Sequence, residues 1–362
     1  MASLDASQTA QIITSARRDD RLRPVRIWLY TIAALVLLMV ALGGETRLTG
    51  SGLSITEWKP ISGTIPPLSD AAWQAEFDNY KKIPQYQVNN PNMTVDGFKS
   101  IYWWEWTHRL LGRFIGLAFA VPFLVFLFQR RFTWSLATPL AGLFVLGGFQ
   151  GVLGWWMVSS GLSKLTSVSQ YRLAAHLSAA LVLFLALIWV ARRLAPQKTG
   201  AMTRLSLPRA PVTILLLLVF LQIVAGAFVA GLHAGMGYNT WPLMDGALIP
   251  NGLGVMDPAW RNLFENTMTV QFIHRCIAYV VVLVAFFLLW RQTRVGGFSG
   301  PNRWMPRIVG MICLQVVLGI STLLLMVPSD LAVAHQLVAF ILAGSIMAYL
   351  ADMTSAIAIT KR

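Results

Sequence analysis

Residues 211–231, PVTILLLLVFLQIVAGAFVAG, contain no Asp, Glu, Lys or Arg. At about 1.5 Å of rise per residue, a helix of this length crosses a hydrocarbon core of about 30 Å. Seven further apolar runs flank it, at 28–45, 102–128, 135–158, 172–191, 269–290, 305–327 and 331–352. The 362 residues are 56% hydrophobic and 12% charged, about half the charge share of a soluble globular protein. Continuous runs exclude a transmembrane β-barrel, whose segments alternate and span about 10 residues. The sequence predicts an all-α polytopic membrane protein with eight transmembrane helices.

The net charge is +14, but the basic residues stand between apolar runs and form no basic face, which argues against nucleic acid. Cys276 and Cys313 fall inside apolar runs and offer neither a disulfide framework nor a zinc pattern. Residues 1–27 are polar and Arg-rich, without the apolar core of a secretory signal, and read as a cytoplasmic tail. One side of the membrane collects 18 Lys and Arg, including Arg17, Arg18, Arg130, Arg131, Lys198, Arg204, Lys361 and Arg362; the other has eight. The positive-inside rule then puts both termini in the cytoplasm and the long loops 46–101 and 232–268 outside. Long loops either carry function or are tolerated insertions.

The chain repeats itself. Glu105-Trp-Thr-His108-Arg109 resembles Gln271-Phe-Ile-His274-Arg275, and Gln150-Gly-Val-Leu-Gly154 matches Gln315-Val-Val-Leu-Gly319. Leu173-Ala-Ala-His176 corresponds to Ala332-Val-Ala-His335. In the outer loops, Trp73 to Asn79 parallels Trp260 to Asn266, and Trp58-Lys-Pro60 echoes Trp241-Pro242. Matches in one order predict two four-helix halves, 28–200 and 201–352, with a cytoplasmic tail at 353–362. Four spans per half give both the same orientation, so the two bundles are related by a pseudo-twofold axis along the membrane normal. Two amphipathic loop helices are expected, one after Ser69 and one opening with Asp257 as N-cap and Pro258 in its first turn. Each either lies on the outer interface or packs against protein.

Four of the five histidines, His108, His176, His274 and His335, lie in even-numbered spans near their outer ends, hence in one layer. A single intramembrane histidine is ordinarily a helix–helix hydrogen bond. Four at matched depth, two per half, point to function, because ionisable groups are costly in a membrane. Two neutral imidazoles facing each other across a bundle suit the axial ligation of haem iron. Zinc would want more protein ligands at one point, and a di-iron site more carboxylates than Glu105 alone. Two haem sites are expected: His108 with His176, and His274 with His335. Arg109 and Arg275, about 100° round the helix from a histidine, either bind haem propionates or snorkel to the outer interface. Gly43, Gly44, Gly147, Gly148, Gly151, Gly154, Gly226 and Gly319 admit either a macrocycle or a close neighbouring helix. His233, in an outer loop, is assigned no role.

Glu105 stands three residues before His108 on the same helix face, whereas its counterpart Gln271 exchanges no proton. The first half also has a longer stretch before its histidine helix, 79–100, which reads as a lid or entry gate. An acid and a gate mark that half as catalytic and the other as a fixed cofactor or relay. The competing role for Glu105 is a hydrogen bond to a neighbouring helix.

These residues resemble the haem A synthase family. That family has Glu-x-x-His-Arg opening its second span and single histidines in its fourth, sixth and eighth; Glu105–Arg109, His176, His274-Arg275 and His335 fit. Gly43-Gly-Glu-Thr-Arg47-Leu-Thr49, Ser51-Gly-Leu-Ser54 and Trp58-Lys-Pro60 look like its first outer loop, and Asn239-Thr-Trp-Pro-Leu-Met244 like its third. The chain lacks the cysteine pair some members carry in the first outer loop, as in the subgroup resembling proteobacterial and mitochondrial enzymes. The resemblance implies an oxidoreductase that converts the C8 methyl of haem O to a formyl group by successive hydroxylations, giving haem A for cytochrome oxidase. It implies haem O as substrate and haem A as product at His108 and His176, with Glu105 beside them, and haem b at His274 and His335. Membrane lipid, haem O synthase, an electron donor and a second copy of the chain are the partners compatible with it. The implied location is a bacterial inner membrane, in preference to a mitochondrial one. Two other classes stay open on sequence: a bis-haem cytochrome b exchanging electrons with quinone, which needs no Glu105, and a haem transport or handover protein, which needs to open on both sides.

Overall fold

The computed structural model describes residues 6–195, 207–295, 297–298 and 303–360. Eight of its helices are long and apolar enough to cross a membrane. They are α1 (Ala6–Leu48), α4 (Val95–Phe128), α5 (Trp134–Ser159), α6 (Gln170–Arg193), α7 (Arg209–Gly231), α8 (Thr267–Val295), α9 (Trp304–Leu324) and α10 (Ser329–Thr360). Two short helices, α2 (Asp70–Tyr80) and α3 (Pro84–Asn89), fold the first outer loop, and no strand forms among the described residues.

All eight expected spans are present, and the differences lie at their ends. Helix α1 begins at Ala6, so most of the expected tail is a helical extension of the first span. Residues 6–27 have no Gly, and the helix runs on through their one proline, Pro24. Likewise α10 runs past 352 to Thr360. Helix α4 starts at Val95 instead of 102, because Thr94 caps it: its hydroxyl accepts the Gly97 N–H at 3.3 Å. Lys198, Arg204, Lys361, Arg362 and the expected boundary at 200/201 lie outside the described residues.

The packing order is the same in the first four spans as in the last four. Helices α1, α4, α5 and α6 close a ring, each against the next and α6 back on α1. Helices α7, α8, α9 and α10 close a second ring in the same order. The rings meet where α6 packs on α10 and α7, and α1 on α10. A continuous apolar core fills this seam, with Leu29, Leu181, Leu187, Leu215 and Phe340 fully buried.

Candidate functional site

Each histidine of the layer lies against a glycine on an odd-numbered neighbour in its own ring. A Cβ added to Gly43 (α1) would stand 3.1 Å from Cε1 of His108 (α4), and one on Gly226 (α7) 3.1 Å from Cε1 of His274 (α8). On Gly154 (α5) the distance to His176 (α6) would be 3.4 Å, and on Gly319 (α9) to His335 (α10) 2.9 Å. At Gly43, Gly226 and Gly319 a side chain would crowd the imidazole, and at Gly154 it would just touch it. The histidines also pair within each ring: His108 and His176 are within electrostatic range of each other, as are His274 and His335.

Glutamines one turn before the glycines hold the histidine helices. Gln315 donates to the His335 carbonyl at 2.7 Å. In the orientation that satisfies both its ends, the Gln150 amide donates to the His176 carbonyl (3.2 Å) and accepts from the Ala180 N–H (3.3 Å). Gln222 instead reaches the His274 ring, 3.1 Å from Nε2. The first ring has Met39 at the equivalent place. Buried Nδ1 atoms of His108, His274 and His335 have no protein partner. Paired imidazoles with such nitrogens, seated on glycines, fit an iron porphyrin held from two sides. Among the described residues no three His, Cys, Asp or Glu converge on a metal ion.

One turn above each site, α4 and α8 clasp an outer loop, with opposite chemistry. Glu105 is 3% exposed. Its Oε2 accepts from the Ser54 hydroxyl (2.8 Å) and the Ile55 N–H (2.8 Å), and its Oε1 from Arg109 (2.6 Å). Arg109 continues to the Ile55 and Glu57 carbonyls at 2.8 and 3.0 Å. In the other ring, Gln271 is also 3% exposed and donates to the Ala234 and Gly237 carbonyls at 2.9 and 2.8 Å. Its oxygen accepts from Arg275, which also donates to the Tyr238 carbonyl. Both guanidiniums are turned to loop carbonyls, a role that the paired sequence alternatives did not include.

Residues 79–100, expected as a gate, are pinned down. Tyr80 donates to Gln85 (3.1 Å) and accepts from Asn90 (2.8 Å), while Gln85 donates to the Gly50 carbonyl (2.9 Å). Helix α2 packs Trp73 on Tyr102 and Phe77 on Phe98, so it is a protein-packed helix, capped by Ser69 as expected. The expected helix at Asp257 is only a 3-10 turn, Ala259–Leu263, and Asp257 does not cap it. Asn262 folds back on Met256 and Ala259 instead and closes the loop locally. Lys59 lies between Glu57 and Glu76 and is held above the usual lysine value, first by its hydrogen bond to Glu57. Sequence reading missed Ser54, Gln222 and Arg113, whose guanidinium ties the Lys59 and Pro60 carbonyls to α4. Only Ser54 carried a signal, as the end of a loop word.

Residues 26–347 match the model of the COX15-CtaA family, described as cytochrome oxidase assembly proteins. The chain belongs to this family. A relative from Azorhizobium caulinodans named heme A synthase is 54% identical over 91% of this chain and 94% of its own. Relatives of the same name from Allorhizobium ampelinum and Brucella anthropi are 49% and 47% identical, over 95% and 96% of this chain and 94% and 97% of theirs. The family match takes in all four histidines, their glycines and both clasps.

Proposed function

We propose that the chain is a haem A synthase, an oxidoreductase that converts the C8 methyl of haem O to a formyl group in two hydroxylations, the second giving a gem-diol that loses water. The observation that carries this reading is a histidine pair on glycine seats in each ring, with a glutamate, Glu105, one turn before the histidine in one ring and a glutamine, Gln271, in the other. His108 and His176 would hold the iron of the substrate, in the half 28–200. His274 and His335, in 201–352, would hold haem b, which supplies one-electron chemistry when bound. Glu105, one turn before His108 on α4, is the carboxylate we assign to that pair, and its role is to exchange a proton there. The same carboxylate keeps the loop around Ser54 and Ile55 closed over that pair, which excludes water. Arg109 and Arg275 set the loops on which haem propionates would rest. A multi-pass protein of this kind belongs in the bacterial cytoplasmic membrane, supplied with haem O by its synthase.

The test is haem extraction and chromatography from protein purified out of cells that make haem O but lack their own haem A synthase. Haem A or haem O alongside haem b is expected. Haem b alone, with no haem A in the cells, would overturn the reading in favour of an electron-relaying cytochrome.

A further inference from the structure

Behind the His274 site, a cleft of about 310 Å³ opens between α8 and the outer loop. Phe272, Arg275, Cys276 and Tyr279 line it from α8, and Trp241 and Leu248 from the loop. At about 100° per residue the α8 side chains form one stripe, and His274 lies roughly 150° round from its centre. The cleft is therefore separate from the histidine pair. Its walls are mostly apolar and aromatic, with Trp241, Tyr279 and Leu248 exposed. Arg275 and Tyr279, within electrostatic range of each other, are its polar end.

The matching place in the other ring is tied down. Aligning His108 with His274 sets Arg113 against Tyr279. Arg113 donates to the Lys59 and Pro60 carbonyls at 2.9 and 2.8 Å, and its Nη2 would meet a Cβ on Gly63 at 3.0 Å. That arginine draws the loop down over α4. Tyr279 ties no carbonyl in this way, and the loop turns back on itself at Met244 and Ala247. The cleft belongs to the ring assigned to electron relay.

We propose that this cleft binds the ring of a membrane hydroquinone, the reductant for the reaction. The idea rests on the function proposed above. Each hydroxylation with dioxygen needs two electrons and two protons, and a hydroquinone supplies both: R–H + O2 + QH2 gives R–OH + H2O + Q. A flat ring with an oxygen at each end and an isoprenoid tail suits aromatic walls, a cationic end and a rim of exposed apolar side chains, Trp241 and Leu248.

Cys276 lines the cleft and reports on it. In purified holoprotein carrying Cys313→Ser, decylubiquinone, whose ring is fully substituted, should slow N-ethylmaleimide labelling of Cys276 at least fivefold. Tyr279→Arg, which copies the other ring, and Trp241→Ala should each abolish that protection. Decylubiquinol should reduce the bound haem at least tenfold more slowly in both variants, while dithionite reduces it fully and haem content stays unchanged. Absence of protection, or equal protection by oleate, would overturn the proposal and leave a lipid cleft only. Protection in a protein that makes no haem A would overturn the function and keep the quinone-class site, so the two failures are distinguishable.

Discussion

The two clasps occupy the same place and do the same mechanical job with inverted polarity. Around Glu105 the loop offers donors, the Ser54 hydroxyl and the Ile55 N–H; around Gln271 it offers acceptors, the Ala234 and Gly237 carbonyls. A carboxylate is acceptor-only, and an amide both donates and accepts. Each residue is therefore matched to its loop as well as to any chemistry. Glu105→Gln does not simply copy the second half: its NH2 must face either two donors or Arg109. The charge at Glu105 and the loop above it form one unit.

The largest effect that separates the halves should come from the histidines. His274→Ala or His335→Ala should remove the low-spin haem b signal and all haem A, since one imidazole cannot hold iron from two sides. His108→Ala should also abolish haem A yet leave that signal in place. Spectra and haem content of the purified variants check this. Loss of the low-spin signal in His108→Ala alone would reverse the assignment of the halves.

Next come the clasps. Glu105→Gln should cut haem A at least tenfold while the protein still inserts and keeps its haem b. Gln271→Glu should act on folding, because two buried carbonyls lose their donor and face a carboxylate. Such an unmatched group costs about 1–3 kcal/mol, more when charged, so lower yield and haem b content are expected. Equal effects from both substitutions, by haem chromatography and thermal midpoint, would mean that the inverted polarity has no consequence.

Smaller effects should follow the glycine seats in the order of their clearances. Gly319→Ala, with a Cβ 2.9 Å from the His335 ring, should lower haem b several-fold. Gly154→Ala, at 3.4 Å, should be milder, and Gly148→Ala, with nothing within 4 Å, neutral. Haem content per protein should fall in that order.

Spans and histidines were legible because a bilayer imposes length and apolarity on each helix, and because intramembrane histidines are few. The glycine seats were named in the sequence only among many glycines. Nothing in one dimension separates Gly319, pressed on His335, from Gly148, which faces open space. The clasps were not read from the sequence. The i, i+4 spacing of Glu105 and Arg109 allows their ion pair, a role passed over for haem propionates, and their loop partners, about 50 residues away, depend on how Ser54 and Ile55 turn back on α4. The bonds within 79–100 were not legible, because the run of Pro, Asn and Tyr does not show that Tyr80, Gln85 and Asn90 bond to one another.

Ser54→Ala is the gentlest test and separates the two roles of Glu105. It removes one buried hydrogen bond to a carboxylate, a contact worth about 1.5–3 kcal/mol. The Ile55 N–H and Arg109 still hold Glu105, and no charge changes. If proton exchange at Glu105 is what the reaction needs, haem A should stay above about half of its normal level, with a thermal midpoint lower by a few degrees. Haem A as low as in Glu105→Gln, with haem b content intact, would instead make loop closure the requirement. Glu105 would then be a positioning residue, and the difference between the halves would lie in what their loops close over.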